Sequence, residues 1–273
     1  MLDAVLLFRE ALYGTLLIAL ACSVVGVYVV LRRIVFVGAA LAQVSSAGLA
    51  IALWLAGLGV LSGLTGHPLT VSLLITIGGV IFFATPPRGD VPPDASIGVA
   101  YAVAAAAGIL FIAKAKMGEA HDILLQGNIL GITRKDTLLL LATAIPVLLA
   151  HVVFYKEFLF VSFDRETART LGYRVRLWDL ALYLTLGVVI AFSMQFAGVM
   201  LVFNFLVLPA VTGLLLGGSM RATFVVSVGS ALLAALVGFA ASIPLDLPSG
   251  PMIIVVSGVL VFLAWGARRA RGG

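Results

Sequence analysis

Long uncharged apolar runs, broken by short charged loops, set the rhythm of this chain. A membrane-spanning helix needs about 20 predominantly apolar residues, and on that ruler the runs divide into about nine. Residues 11–31 form the first, stopped by Arg32-Arg33. From Ile34 to Pro87 the only ionisable side chain is His67, which leaves room for two spans. Their expected break is 57–68, rich in glycine and ending in His67-Pro68, where a helix does not easily continue. Pro86, Pro87, Pro92 and Pro93 place 85–94 outside the membrane. Residues 95–113 and 137–155 are the fourth and fifth spans, and the uncharged stretch 180–220 holds two more, with a break expected near 193–198. Residues 222–245 and 247–267 complete the set, so the expected fold is all-α, a polytopic helix bundle in one domain, 1–273.

One charged island, 156–179, interrupts this pattern. Its centre reads Phe163-Asp164-Arg165-Glu166-Thr167-Ala168-Arg169-Thr170-Leu171-Gly172. Asp164 is placed to accept from backbone N–H groups at the start of a helix. Phe163 and Ala168 stand at the spacing of a hydrophobic staple. Gly172 supplies the left-handed conformation that closes a helix. The pattern predicts a compact, doubly capped helix of about two turns, lying in water between spans.

A hydrophobic content of 62% with only 11% charge excludes a soluble domain. The formal charge of +5 does not point to nucleic acid, because the basic residues sit in short loops and form no single patch. They point to topology instead. With Arg32-Arg33 inside, the inner side also gathers Arg88, Lys156, Arg165, Arg169, Arg174, Arg176, Arg221 and the C-terminal arginines, while Arg9, Lys114, Lys116, Arg134 and Lys135 stay outside. The positive-inside rule then sets the N-terminus out and the island and C-terminus in. No cleavable leader is expected, and the single cysteine, Cys22, lies in an apolar run and permits no internal disulfide.

The second span carries the most informative side chains. Gly38, Ala42 and Ser46 recur every four residues and allow close helix approach. Ala39, Gln43 and Ser46 form a mildly polar stripe beside them. An amide within a span faces protein or water, so Gln43 either bonds a neighbouring helix or lines a path. Asn204, near Leu208-Pro209, either bonds within a proline bend or faces a pore. His151 ends the fifth span, where an interfacial place is the commoner reading. Outside, residues 123–131 are apolar but too short to span, which suits a re-entrant piece or an amphipathic surface helix. His121-Asp122 makes an incomplete metal site or a solvated loop, and Asp246 sits in an outer turn. No zinc-protease pattern, phosphate-binding glycine loop or nucleophile–base set occurs, so no enzymatic role is expected and ATP chemistry would belong to a partner chain.

Several segments together resemble the ABC-3 family, the permeases of zinc, manganese and iron uptake ABC transporters. They are Leu31-Arg32-Arg33 with Val37-Gly38-Ala39-Ala40-Leu41-Ala42-Gln43, Leu125-Gln126-Gly127-Asn128-Ile129-Leu130-Gly131-Ile132, the island, Gln195-Phe196-Ala197-Gly198 running to Leu208-Pro209-Ala210, and Asp246-Leu247-Pro248-Ser249-Gly250-Pro251. The resemblance implies a type II ABC importer permease in a bacterial or archaeal cytoplasmic membrane. It implies a homodimer embedded in lipid, two ATPase subunits gripping the island, and an external solute-binding protein that delivers a divalent metal. Phe163, Asp164, Arg165, Glu166, Ala168, Arg169, Leu171 and Gly172 would couple to the ATPase. Ala39, Gln43, Ser46 and Asn204 are candidates for the path, and His121, Asp122 and Asp246 for metal contacts. No bound cofactor is implied. Family members commonly carry Asp and His where this chain has Ala39 and Gln43. A chelate or another small solute is therefore an alternative cargo, and a non-transporting scaffold subunit an alternative role.

Overall fold

The computed structural model describes residues 8–59, 68–85, 92–115, 127 and 129–270. Hydrocarbon offers no partner to backbone N–H and C=O groups, so each apolar run closes its own bonds as a helix. The helices are α1 (Arg9–Leu31), α2 (Val35–Gly57), α3 (Pro68–Ala84), α4 (Pro93–Lys114), α5 (Arg134–Val153), α6 (Tyr155–Phe163), α7 (Arg165–Thr170), α8 (Val175–Leu216), α9 (Met220–Leu245) and α10 (Ser249–Ala270), with a 3-10 turn at Ile129–Gly131. Among the described residues there is no strand. α2 ends and α3 begins where the glycine-rich break was expected; the other spans match within three residues, except that α8 starts five residues before and ends four before the expected 180–220.

Among the described residues seven helices are long and apolar enough to cross a membrane, and α3 is a shorter apolar helix of 17 residues. α8, at 42 residues, is twice the length of a span. Its interior is broken at Gly198, whose φ of 71° and ψ of 168° lie in a region open essentially to glycine alone. Contacts with α1 show what the break does. Arg32 beyond the end of α1 binds Asp179, Cys22 lies 3.8 Å from Ser193, and Gly26 lies so close to the Leu206 backbone that a Cβ would collide with it. The chain rises from Asp179 to Ser193, turns at Gly198 and comes back down, so α8 is a helical hairpin of two spans. The described residues thus hold about nine crossing segments, as the sequence predicts.

The hairpin is the hub of the bundle. Ile190, Met194, Val202, Phe205 and Leu206 are buried in one apolar core with Ile18, Val25 and Leu41. Gly127 rests its backbone against Phe196 and Ala197 with no space for a Cβ, and Ile129 is buried. This part of the outer segment packs into protein, as a re-entrant piece does. The outward faces remain apolar; Phe262, for example, is 73% exposed, which suits a lipid-facing surface.

Candidate functional site

The first candidate site is the charged island, which folds as α6, α7 and the start of α8. Asp164 caps α7 as expected, accepting from the Thr167 N–H at 2.9 Å and from the Thr167 hydroxyl at 2.6 Å. These bonds hold its carboxyl below the usual carboxylate range. Gly172 closes the other end at φ 85°, and the Tyr173 N–H reaches back to the Ala168 carbonyl at 3.0 Å. The expected staple is not what buries Ala168. Phe163 is 61% exposed, and Ala168 packs instead with Val161, Val175, Phe160 and Trp178. α6 approaches from one side and α8 leaves on the other, so their side chains close over Ala168 before Phe163 can. Phe163 and Leu171 therefore stand free on the surface with Glu166 and Arg169, an apolar and charged knob.

Asp179 anchors the knob to the bundle. It is buried and holds Arg32 at 2.6 Å, while its other oxygen takes Arg165, the first residue of α7. Arg32 also donates to the Ser162 hydroxyl at 2.8 Å. Asp179 and Arg32 together thus join the end of α1, the end of α6, the start of α7 and the beginning of α8. Sequence reasoning treated Asp179 as the island's far edge and missed this role. The signal was available: an acidic side chain entering an apolar helix requires a cationic partner.

Beside the knob, under the charged pair, lies a cavity of about 240 Å³ that Arg33, Arg165, Asp179 and Tyr183 help to line. It shares Phe36, Asp94 and Ile97 with a larger cavity of about 760 Å³. α2 contributes Ala39 and Gln43 to the larger one, α4 contributes Gly98 and Tyr101, and α8 contributes Val199, Met200 and Phe203 just past its turn. Neither the Gln43 amide nor the Asp94 carboxylate is bonded to another described residue. Of the four path candidates, the structure brings Ala39 and Gln43 together on the cavity wall. Ser46 is buried away from the lining, and Asn204 turns to α10, donating to the Ser257 hydroxyl at 3.1 Å. His151 is buried in an aromatic nest with Tyr28 and Phe158, and its Nδ1 bonds the Val147 carbonyl.

Of the three tentative metal contacts, His121 and Asp122 lie outside the described residues. Asp246 is the left-handed cap of α9, at the end of the bundle opposite the knob. Among the described residues no three His, Cys, Asp or Glu side chains gather to hold a metal.

A family model described as the ABC 3 transport family matches residues 5–267. The chain is 27% identical to the manganese transport system membrane protein MntC of Listeria innocua, over 94% of this chain and 89% of that protein. It is 26% identical to a probable iron transport system membrane protein of Haemophilus influenzae, over 94% and 92%. The fold is shared with a solved chain of PsaBC from Streptococcus pneumoniae in complex with Fab, at a TM-score of 0.85 and 22% identity over 97% of this chain and 94% of that one.

Proposed function

The chain belongs to the ABC 3 transport family, and on that premise we propose that it is the permease subunit of a metal importer. Two copies stand in a bacterial or archaeal cytoplasmic membrane, with the knob and the C-terminus on the cytoplasmic side. A separate ATPase subunit grips Phe163, Leu171 and the charged residues between them. An extracytoplasmic solute-binding protein delivers manganese or iron, the metals in the names of its relatives. The whole of 1–273 acts as one permease domain, with 156–179 as its coupling loop.

The observation that carries this reading is the Arg32–Asp179–Arg165 junction. A push on α7 cannot be absorbed by a floppy loop, because both helix ends are capped and the first residue is ionically tied to α8. α8 then leads through its Gly198 turn to Val199, Met200 and Phe203 on the cavity wall. Movement of the knob is thereby delivered to the cavity as rigid-body motion, and nucleotide state in the partner biases which side is open.

The test uses the complete transporter in proteoliposomes. Gly172 has open space around it, so Gly172→Pro leaves packing intact and disturbs only the cap, by forbidding the left-handed φ and by removing the N–H that donates to the Arg169 carbonyl. This variant is expected to hydrolyse ATP while metal uptake falls by about tenfold or more. Uptake at the native rate would remove the coupling role assigned to the knob.

A further inference from the structure

A divalent cation passes through a protein only where oxygen or nitrogen ligands stand in for its lost water. The larger cavity offers few. Its walls are chiefly Phe36, Ile97, Tyr101, Met200 and Phe203, and among the described residues Gln43 and Asp94 are the two lining side chains with an unbonded carbonyl or carboxylate oxygen. No trio of metal-ligating side chains exists among the described residues. Yet the cavity is about 760 Å³, a volume suited to an organic molecule rather than an ion.

We propose that the metal crosses this cavity as a preformed organic chelate, neutral or cationic overall, whose own donor atoms keep it coordinated. The inference rests on the transport reading above and specifies the form of the cargo. Aromatic and thioether walls match the organic exterior of such a complex. The Gln43 amide, with a donor and an acceptor to offer, orients its polar rim. Asp94 is the charged side chain on the wall, and an anion there repels polyanionic complexes.

Gly98 provides a direct probe. It lines the cavity, and a Cβ added there meets nothing within 4 Å, so Gly98→Trp fills the space without displacing the wall. The complete transporter, in proteoliposomes, is offered radioactive aqua-Mn²⁺, radioactive Fe³⁺ as a neutral tris-hydroxamate complex, and the same metal as a trianionic tris-catecholate complex. The neutral complex is expected to enter about tenfold faster than the other two, and Gly98→Trp to slow it by about tenfold while the melting temperature stays native. In the purified permease–ATPase complex, native protein is expected to leave the Mn²⁺ resonance unchanged, and Ala39→Asp with Gln43→His to broaden it by creating an ion site.

Aqua-Mn²⁺ entering as fast as the neutral chelate, or Mn²⁺ bound by the native cavity, overturns the chelate while leaving the importer standing. Chelate uptake indifferent to Gly98→Trp overturns the assignment of this cavity. Equal uptake of the trianionic complex overturns the charge preference. Should no probe enter and none alter ATP hydrolysis, the transport reading itself fails, and the chelate with it.

Discussion

The knob and the large cavity treat their polar groups in opposite ways. At the knob, Asp164 is bonded at both oxygens and Asp179 is shared between two arginines, one of them buried. In the cavity, Gln43 and Asp94 have no bonded partner among the described residues. Bonded polar groups hold one geometry, because release would strand a charge or a donor away from water. Unbonded ones remain available to a visitor. The contrast separates the part of the chain that must stay rigid to transmit force from the part that must stay open to receive cargo.

The largest way to break that contrast is at Asp179. Asp179→Ala leaves Arg32 buried with its partner gone, and loss of one member of a buried pair costs about 3–5 kcal/mol. A marked fall in the melting temperature of the purified permease is expected, with metal uptake lost. A native melting temperature would show that the knob is held by apolar packing alone.

Between the two regions stands Gly198. Gly198→Ala forces a side chain into a backbone region that costs about 1–3 kcal/mol for residues other than glycine. A smaller loss of thermal stability is expected, together with slower uptake, because the hairpin carries motion from one region to the other. Unchanged stability and uptake would remove the turn from the coupling route.

The smallest effect sharpens the picture through pH. Because the Asp164 carboxyl titrates below its ordinary value, its cap is fully present above the unfolded-state carboxylate pKa and fades as pH falls through the depressed folded value. Coupling between ATP hydrolysis and uptake is therefore expected to stay constant from pH 8 to about 5, with any weakening of the cap confined to more acidic conditions. Loss of coupling above pH 5 that Asp164→Asn abolishes would contradict this assignment.

Periodicity and length were enough to read the spans, because a hydrocarbon environment leaves a helix as the single outcome for a run such as 11–31. Local chemistry was enough for the caps of α7, since Asp164 and Gly172 act within one turn of themselves. Long-range partnership was not legible. Nothing near Asp179 announces Arg32, and Phe163 and Ala168 have staple spacing yet part company once α6 and α8 close over Ala168. Likewise Ser46 and Asn204 read as path residues on polarity alone, and helix rotation turns them elsewhere.

The amino-acid order by itself determined which segments cross the membrane, where they stop and which short helix lies between them, because those outcomes depend on neighbours a few residues away. Only the tertiary structure decided which residue of the expected 193–198 break makes the turn, that Asp179 and Arg32 together tie four helix ends, and that Ala39 and Gln43 face a roomy apolar cavity. Those outcomes depend on how helices distant in sequence rotate and pack against one another.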